Sequence, residues 1–271
     1  MTNRKGSFRA FVFCLAVVCL LVGCVTTPMT QRKALMLVSL DQEMALGLQA
    51  YREILSQSKL SDNPDWNRLV RKVGDRIARV SDMPRLPWEF KVIVSDEKNA
   101  FCLPGGKVAV YTGILPLAQT EAGLAAILGH EVAHAVARHA GERMSQALLV
   151  NLGLTVADLS LQNNQHRGLI LAAMGLGASV GVLLPYSRLH EAEADEIGTL
   201  YMAKAGYDPR EAVLLWQRFA KEGGARPPAF LSTHPAPERR VEELQKIVER
   251  AWKEYEKAPE KLGGGETIPL S

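Results

Sequence analysis

Apolar residues recur at three- and four-residue steps over most of this chain, which is the periodicity of an α-helix that buries one face. The pattern predicts helices at residues 35–58, 65–80, 142–161, 169–184, 187–204, 208–221 and 238–257. A further stretch, residues 121–139, is apolar, Ala-rich and free of Pro, so it is predicted to be a buried helix. The chain is therefore expected to be predominantly α-helical.

Residues 88–111, just before this buried helix, do not follow the helical period. Residues 88–94 (WEFKVIV) are β-rich and partly alternating, which predicts a strand. Residues 99–106 (NAFCLPGG) lead through a Gly-Gly turn into residues 107–111 (KVAVY), which predicts two more strands. We expect a small antiparallel sheet of about three strands beside the helix at 121–139, and an α+β fold.

The amino-terminal residues have the pattern of a secretion leader. Three basic residues precede an apolar run at 10–22 that is shorter than the ~20 residues of a spanning helix: Arg4, Lys5 and Arg9. The run ends in Leu-Val-Gly-Cys, which resembles a bacterial lipobox with Cys24 as the lipidated residue. This predicts a lipoprotein signal peptide at 1–23 and a lipidated tether at 24–34. An ordinary signal peptide or an uncleaved anchor remains the alternative.

Charge and cysteine content narrow the function further. The chain carries 32 basic and 29 acidic residues, and removal of the three leader cations leaves 29 of each sign. A neutral mature chain gives no indication of a nucleic-acid partner. Cys102 is the remaining cysteine after Cys24, so no internal disulfide is expected, and Cys102 is predicted to be a small buried hydrophobe. Val25, rather than Asp, follows the predicted lipidation site and favours the periplasmic face of the outer membrane.

The predicted buried helix at 121–139 contains the pattern His130-Glu131-Val132-Ala133-His134. Positions i and i+4 lie on one helix face, so the imidazoles of His130 and His134 can point at one metal ion. Glu131 lies about 100° further round the helix and suits a general base that acts on a metal-bound water. A helix with two chance histidines and a surface Glu is the alternative that the pattern alone leaves open.

A catalytic zinc site needs a third protein ligand, and residues 190–195 (HEAEAD) offer carboxylates for it. Glu191 and Asp195 are four residues apart and share a helix face. Glu191 is predicted to bind the metal, while Asp195 hydrogen-bonds the second ring nitrogen of a zinc histidine. Glu193 points elsewhere and is predicted to be a surface charge. Taken alone, this segment also fits a solvated acidic helix face.

Four further polar residues lie close to these motifs in the sequence. His139 is predicted to cap the end of its helix, and His190 is predicted to lie at the surface. Tyr186 and Arg188 precede the third ligand and either stabilise an oxyanion or serve in packing, which the sequence leaves open.

The motifs NAFCLPGG, HEVAH, ExxxD and STHP occur in this order and together resemble the gluzincin metallopeptidases. The branch that resembles the chain most includes the bacterial periplasmic BepA-like proteases, the membrane protease HtpX and the CaaX prenyl proteases, over about residues 31–250. The resemblance implies one zinc ion per chain, held by His130, His134 and Glu191, with Glu131 as catalytic base. It also implies that His234 can take the fourth zinc position and keep the enzyme inactive.

These assignments predict a zinc metallopeptidase domain at 35–257, followed by a disordered tail at 258–271 that contains three consecutive glycines. An extended substrate is expected to add as a strand along an edge at 107–111. The resemblance implies misfolded or stalled envelope proteins as substrates and the outer-membrane assembly machinery as a partner. The alternatives are a zinc-closed chaperone that holds clients without cutting, and a structural lipoprotein without zinc.

Overall fold

The computed structural model describes residues 24–160, 188–222, 229–234 and 239–270. The predicted leader at 1–23 and the predicted helix at 169–184 lie outside the described residues. The chain divides into two compact units, one formed by residues 1–40 with 141–183 and the other by 41–140 with 184–271. Within the described ranges, no helix combines the length and the hydropathy needed to cross a bilayer.

The described residues form five strands, nine α-helices and a 3-10 turn at Thr112–Ile114. The strands are β1 (Cys24–Thr26), β2 (Lys33–Leu35), β3 (Glu89–Ile93), β4 (Ala100–Leu103) and β5 (Lys107–Tyr111). The helices are α1 (Leu40–Gln57), α2 (Pro64–Val80), α3 (Leu115–Ala118), α4 (Glu121–Val136), α5 (His139–Ser160), α6 (Arg188–Lys204), α7 (Arg210–Lys221), α8 (Ala229–Thr233) and α9 (Arg240–Lys257). The predicted helices within the described ranges are present, with ends shifted by a few residues, and the predominantly helical α+β class is confirmed.

The first unit contains a hairpin where the sequence predicted a tether. β1 pairs antiparallel with β2, so residues 24–34 are folded back on themselves. The guanidinium of Arg32 donates to both carboxylate oxygens of Glu142, at 3.0 and 2.7 Å, and the amide of Leu37 donates to Ser145 Oγ at 2.8 Å. These contacts join the hairpin segment to the first turns of α5.

The sheet of the second unit has the order β3-β5-β4 and is mixed rather than antiparallel. β4 and β5 form the predicted antiparallel hairpin, through Gly105 and Gly106 with φ of 82° and 74°, which are left-handed values that favour glycine. β3 pairs with the other side of β5 and runs parallel to it. Because β5 is the central strand, the predicted substrate edge at 107–111 is wrong. Among the described residues, β4 has an unpaired side instead.

Helix α4 lies in the core of the second unit, with fifteen of its sixteen residues buried. Thr120 caps its start by accepting a hydrogen bond at Oγ1 from the amide of Gly123. α4 crosses α6 at Gly129 and Gly198, where a Cβ added to Gly129 would lie 2.7 Å from the Gly198 carbonyl oxygen. The two backbones therefore approach as closely as glycine permits, and residues beside the crossing come together.

The prediction of a disordered tail is wrong for residues 258–270. The amides of Glu121 and Ala122, in the first turn of α4, donate to the carbonyl oxygens of Glu266 and Gly264 at 2.9 and 3.0 Å. Ile268 is 3% exposed, and its amide donates to the carbonyl oxygen of Gln119. The first amides of a helix have no partner within the helix. The tail supplies that partner, and the composition of the tail does not reveal this.

Candidate metal centre

The histidines of the HExxH pattern lie on one face of α4, as the i, i+4 spacing predicts. His130 Nε2 and His134 Nε2 are 3.0 Å apart, and both side chains are buried. The crossing of α4 and α6 places Glu191 beside them, with Oε2 3.3 Å from His130 Nε2 and Oε1 3.4 Å from His134 Nε2. Two helices thus bring three predicted ligands to one point.

The fourth member of the cluster is His234, which directly follows the short helix α8. Its Nδ1 lies 3.2 Å from His130 Nε2 and 3.1 Å from Glu191 Oε1. Stacking against Phe230, with ring centroids 4.5 Å apart, and a hydrogen bond from its amide to the Phe230 carbonyl oxygen hold the ring in this position. The ring of His234 thus lies beside the other three candidate ligands, and its role as a fourth ligand stays a prediction.

The geometry of these four side chains fits a zinc ion. Their ligand atoms all lie within 4.8 Å of one another. Zinc with ligands at 2.0–2.1 Å has ligand–ligand separations of about 3.4 Å in a tetrahedron. The separations of 3.0 to 3.3 Å between His130 Nε2 and the other ligand atoms are close to this value. Three imidazole nitrogens and one carboxylate oxygen are also donors that zinc prefers.

The charges behind the ligands also favour a cation. Arg240 is buried, and it donates to Asp195 Oδ1 at 2.6 Å and to Glu191 Oε2 at 3.3 Å. One guanidinium therefore faces two buried carboxylates. Burial lowers the pKa of His130, but hydrogen bonds with Asp195 and Glu191 outweigh burial and raise this pKa to about 9. The carboxylates thus draw a proton onto His130, and a bound zinc ion would supply the same positive charge.

Glu131 lies next to the ligands without joining them. Its side chain is 2% exposed, and its Oε1 is 3.4 Å from Nε2 of His234. The backbone of Cys102, on β4, hydrogen-bonds the carboxyl, and burial raises the pKa of Glu131 above its ordinary value. Glu131 thus lies between the ligand cluster and β4, the edge strand of the sheet. Cys102 is buried, as predicted.

The structure also reveals polar residues that the sequence placed wrongly. His139, Glu193 and His190 are 0, 4 and 3% exposed, so the surface roles predicted for Glu193 and His190 are wrong, while the helix-end role of His139 stays a prediction. His139 Nδ1 lies 2.8 Å from His134 Nδ1, and His139 Nε2 lies 3.1 Å from Glu193 Oε2. The i, i+3 spacing of His190 and Glu193 indicates a shared helix face, but it does not indicate that this face is buried.

The sequence offered Arg188 and Tyr186 for oxyanion stabilisation or packing. Arg188 is exposed at the start of α6, and Tyr186 lies outside the described residues. Arg240, by contrast, is buried against the site, and its guanidinium carbon lies 3.4 Å from the centre of the Trp216 ring. The sequence motifs had assigned no role at the site to Arg240.

Residues 64–248 match Peptidase family M48. The chain belongs to this family. Mitochondrial metalloendopeptidase OMA1 of Schizosaccharomyces pombe is 39% identical over 231 residues, which cover 83% of this chain and 66% of that protein. OMA1 of Saccharomyces cerevisiae is 31% identical, over 85% of this chain and 71% of that protein. The β-barrel assembly-enhancing protease of Yersinia pestis is 28% identical, over 77% of this chain and 44% of that protein.

Membership of the M48 family confirms the predicted zinc metallopeptidase fold, enzyme class and zinc cofactor. The narrower resemblance to BepA-like proteases stays a prediction. The β-barrel assembly-enhancing proteases match at 26 to 29% identity, and the two yeast OMA1 proteins match at 39 and 31%. The chain spans less than two thirds of several of these relatives, so their substrates and partners do not transfer with the family.

Proposed function

We propose that this chain is a zinc-dependent endopeptidase of the bacterial cell envelope that His234 holds inactive. One observation carries the proposal. Four ligand atoms, from His130, His134, Glu191 and His234, lie within 4.8 Å of one another, with the carboxyl of Glu131 directly beside them. Such a cluster provides both a complete set of zinc ligands and a base for hydrolysis.

In this proposal the metal, Glu131 and Asp195 have separate roles in peptide hydrolysis. Bound zinc supplies a Lewis acid that polarises the scissile carbonyl and the attacking water. Glu131 would accept the proton of the water and pass it to the leaving amine. Asp195 Oδ1 lies 3.0 Å from His130 Nδ1 and holds the tautomer that leaves Nε2 free for the metal.

His234 acts as a removable ligand in this proposal. A catalytic zinc site keeps one coordination position open, whereas a closed site has four protein ligands. Because Nδ1 of His234 lies 3.2 Å from His130 Nε2, His234 would be a fourth protein ligand of a bound zinc ion. Substrate therefore reaches the metal only after His234 moves away. The alternative is a zinc-closed chaperone in which His234 stays in place and clients are held uncut.

The substrate binds as an added strand along β4. Among the described residues, β4 has no strand on its outer side, and the Cys102 backbone on β4 contacts the catalytic base. An extended peptide that pairs with β4 would run past Glu131 and gain backbone hydrogen bonds without sequence preference. This mode suits misfolded or stalled envelope proteins. The names of relatives that enhance β-barrel assembly support such substrates, with the outer-membrane assembly machinery as a partner.

A lipid on Cys24 anchors the enzyme at the periplasmic face of the outer membrane. The basic leader, the short apolar run and the Gly-Cys pair support this part of the proposal, and Cys24 is exposed in β1. Metabolic labelling with a palmitate analogue tests it. The wild-type chain should take up label and sediment with membranes, and Cys24→Ala should do neither. An unlabelled wild-type chain contradicts the anchor.

The activity is tested with purified chain and unfolded casein. Metal analysis should give one zinc per chain, and Glu131→Gln should keep that zinc. His234→Ala should raise cleavage at least about 10-fold over the wild type, and His234→Ala with Glu131→Gln should lose about 100-fold or more of that activity. If His234→Ala binds zinc and casein without cutting, the chaperone alternative is correct. A chain that binds no zinc contradicts the proposal altogether.

A further inference from the structure

A line of buried polar side chains continues from the ligand cluster to the far side of His134. His134 presents Nε2 to the cluster, and its other nitrogen, Nδ1, lies 2.8 Å from His139 Nδ1. His139 Nε2 in turn lies 3.1 Å from Glu193 Oε2. All three side chains are at most 4% exposed. Neither His139 nor Glu193 reaches the cluster itself.

The hydrogen positions along this line follow from the role of His134. A histidine that binds metal through Nε2 carries its proton on Nδ1. His134 Nδ1–H therefore donates to His139 Nδ1. His139 must then carry its own proton on Nε2, where it donates to the carboxylate of Glu193. One arrangement of protons thus satisfies both hydrogen bonds, and it keeps the lone pair of His134 Nε2 pointed at the cluster.

The backbone before His139 is arranged to bring this side chain back to α4. Arg138 has a φ of 56°, a left-handed conformation at the position after a helix end where glycine is the usual residue. Its guanidinium donates from Nε to Oε1 of buried Glu43 at 3.1 Å, which holds the turn in place. The next residue, His139, begins α5 and stacks on His190 at 4.4 Å between ring centroids. The left-handed turn at Arg138 and the stack on His190 therefore hold the His139 side chain in place.

The two zinc histidines are supported in different ways. His130 Nδ1 contacts Asp195 directly at 3.0 Å, whereas His134 reaches a carboxylate only through a second imidazole. Both carboxylates come from α6, two residues apart. We infer that His139 and Glu193 are positioning residues for His134, which fix its ring orientation and its tautomer for zinc. This inference rests on the proposed zinc site and adds the residues that prepare it.

The test measures zinc affinity rather than proteolysis. His139→Phe keeps a ring against His190 and removes both nitrogens, and Glu193→Leu removes the carboxylate at similar size. Each should weaken zinc binding about 10- to 100-fold in competition with a chromogenic chelator. Glu193→Gln keeps an oxygen that accepts from His139, so it should stay within about threefold of the wild type. Cobalt-substituted protein should show an altered visible spectrum in the first two variants only.

Tyr201→Phe is the matched control. Tyr201 is buried on the same helix as Glu193 and donates a hydrogen bond to Asp82, away from the cluster, so its loss should leave zinc affinity unchanged. Unaltered affinity in His139→Phe and Glu193→Leu overturns the inference, as does an equal loss in all variants. If His139→Phe does not fold, Glu193→Leu against Glu193→Gln decides. A wild-type chain without zinc would instead contradict the proposed function.

Discussion

Arg240 is not a candidate metal ligand, but the site depends on its positive charge. Its guanidinium contacts both Asp195 and Glu191, and all three side chains are buried. Removal of one partner from a buried ionic network costs about 3–5 kcal/mol, because the remaining charges stay desolvated. Arg240→Met should therefore lower the free energy of unfolding by about 3–5 kcal/mol in zinc-free protein. The loss should shrink when zinc is bound, since the metal offsets the carboxylates.

Urea denaturation with and without zinc measures this effect. Arg250→Met is the control, because Arg250 lies on the same helix α9 and pairs with Glu196 at 2.9 Å while 57% exposed. Surface pairs of this kind contribute at most about 1 kcal/mol. Equal losses in the two variants would show that Arg240 has no special role at the site.

Residue identities at the site were predictable where local spacing fixes them. The i, i+4 rule alone brings His130 and His134 together, and ligand chemistry selects Glu191 on the neighbouring helix. The support of His134 was not predictable in this way. Whether His139 and Glu193 are buried depends on how α4, α5 and α6 pack, and a charged residue on a helix is more often solvated.

The crossing of α4 and α6 determines whether the ligands meet. A Cβ on Gly198 would lie 2.6 Å from the backbone carbon of Gly129 and 2.7 Å from the amide nitrogen of His130. Gly198→Ala should therefore separate the helices, lower the free energy of unfolding by about 1–3 kcal/mol and weaken zinc binding, because Glu191 moves with α6. Thermal unfolding and chelator competition measure both effects.

Gly153→Ala separates crowding from the general effect of alanine in a helix. Among the described residues, nothing lies within 4 Å of a Cβ at Gly153 on α5, so this change should raise stability by up to about 1 kcal/mol. A Gly198→Ala protein as stable as the wild type would mean that the crossing tolerates a wider separation than its backbone contacts indicate.

Elements were easier to predict than their arrangement. The period of apolar residues located α2 and α9, and alternation located β3 to β5. The Gly-Gly turn correctly indicated the β4–β5 hairpin. The position of β3 did not follow, because a strand can join either side of a hairpin and the choice depends on packing distant in sequence. The sequence therefore identified the sheet and misplaced its edge.

At the scale of the second unit, the tail connects helices that are far apart in the chain. Glu266 pairs with Lys72 at 2.8 Å and with Arg68 at 3.2 Å, both on α2. Hydrogen bonds from Lys72 and Arg68 lower the pKa of the Glu266 carboxyl. A carboxyl with a lowered pKa in the folded state stabilises the fold above its unfolded pKa of about 4.3, and this contribution disappears as the pH falls.

Glu266→Gln should therefore melt at a lower temperature than the wild type at pH 7, and the difference should vanish towards pH 3. Thermal unfolding at several pH values measures it. Glu249→Gln, which changes an exposed carboxylate on α9, should leave the melting temperature unchanged at every pH. A difference between wild type and Glu266→Gln that persists at pH 3 would contradict the ionic role of Glu266.

The contact between the tail and α4 also sets an order of events during synthesis. A ribosome makes α4, with two ligands and the base, long before it makes residues 264–268. Until those residues emerge, the amides of Glu121 and Ala122 lack the carbonyl partners that complete the first turn of the helix. Arg240 likewise arrives late. A chain that has been made only as far as α4 therefore holds two ligands and the base without the tail and the guanidinium that complete the site.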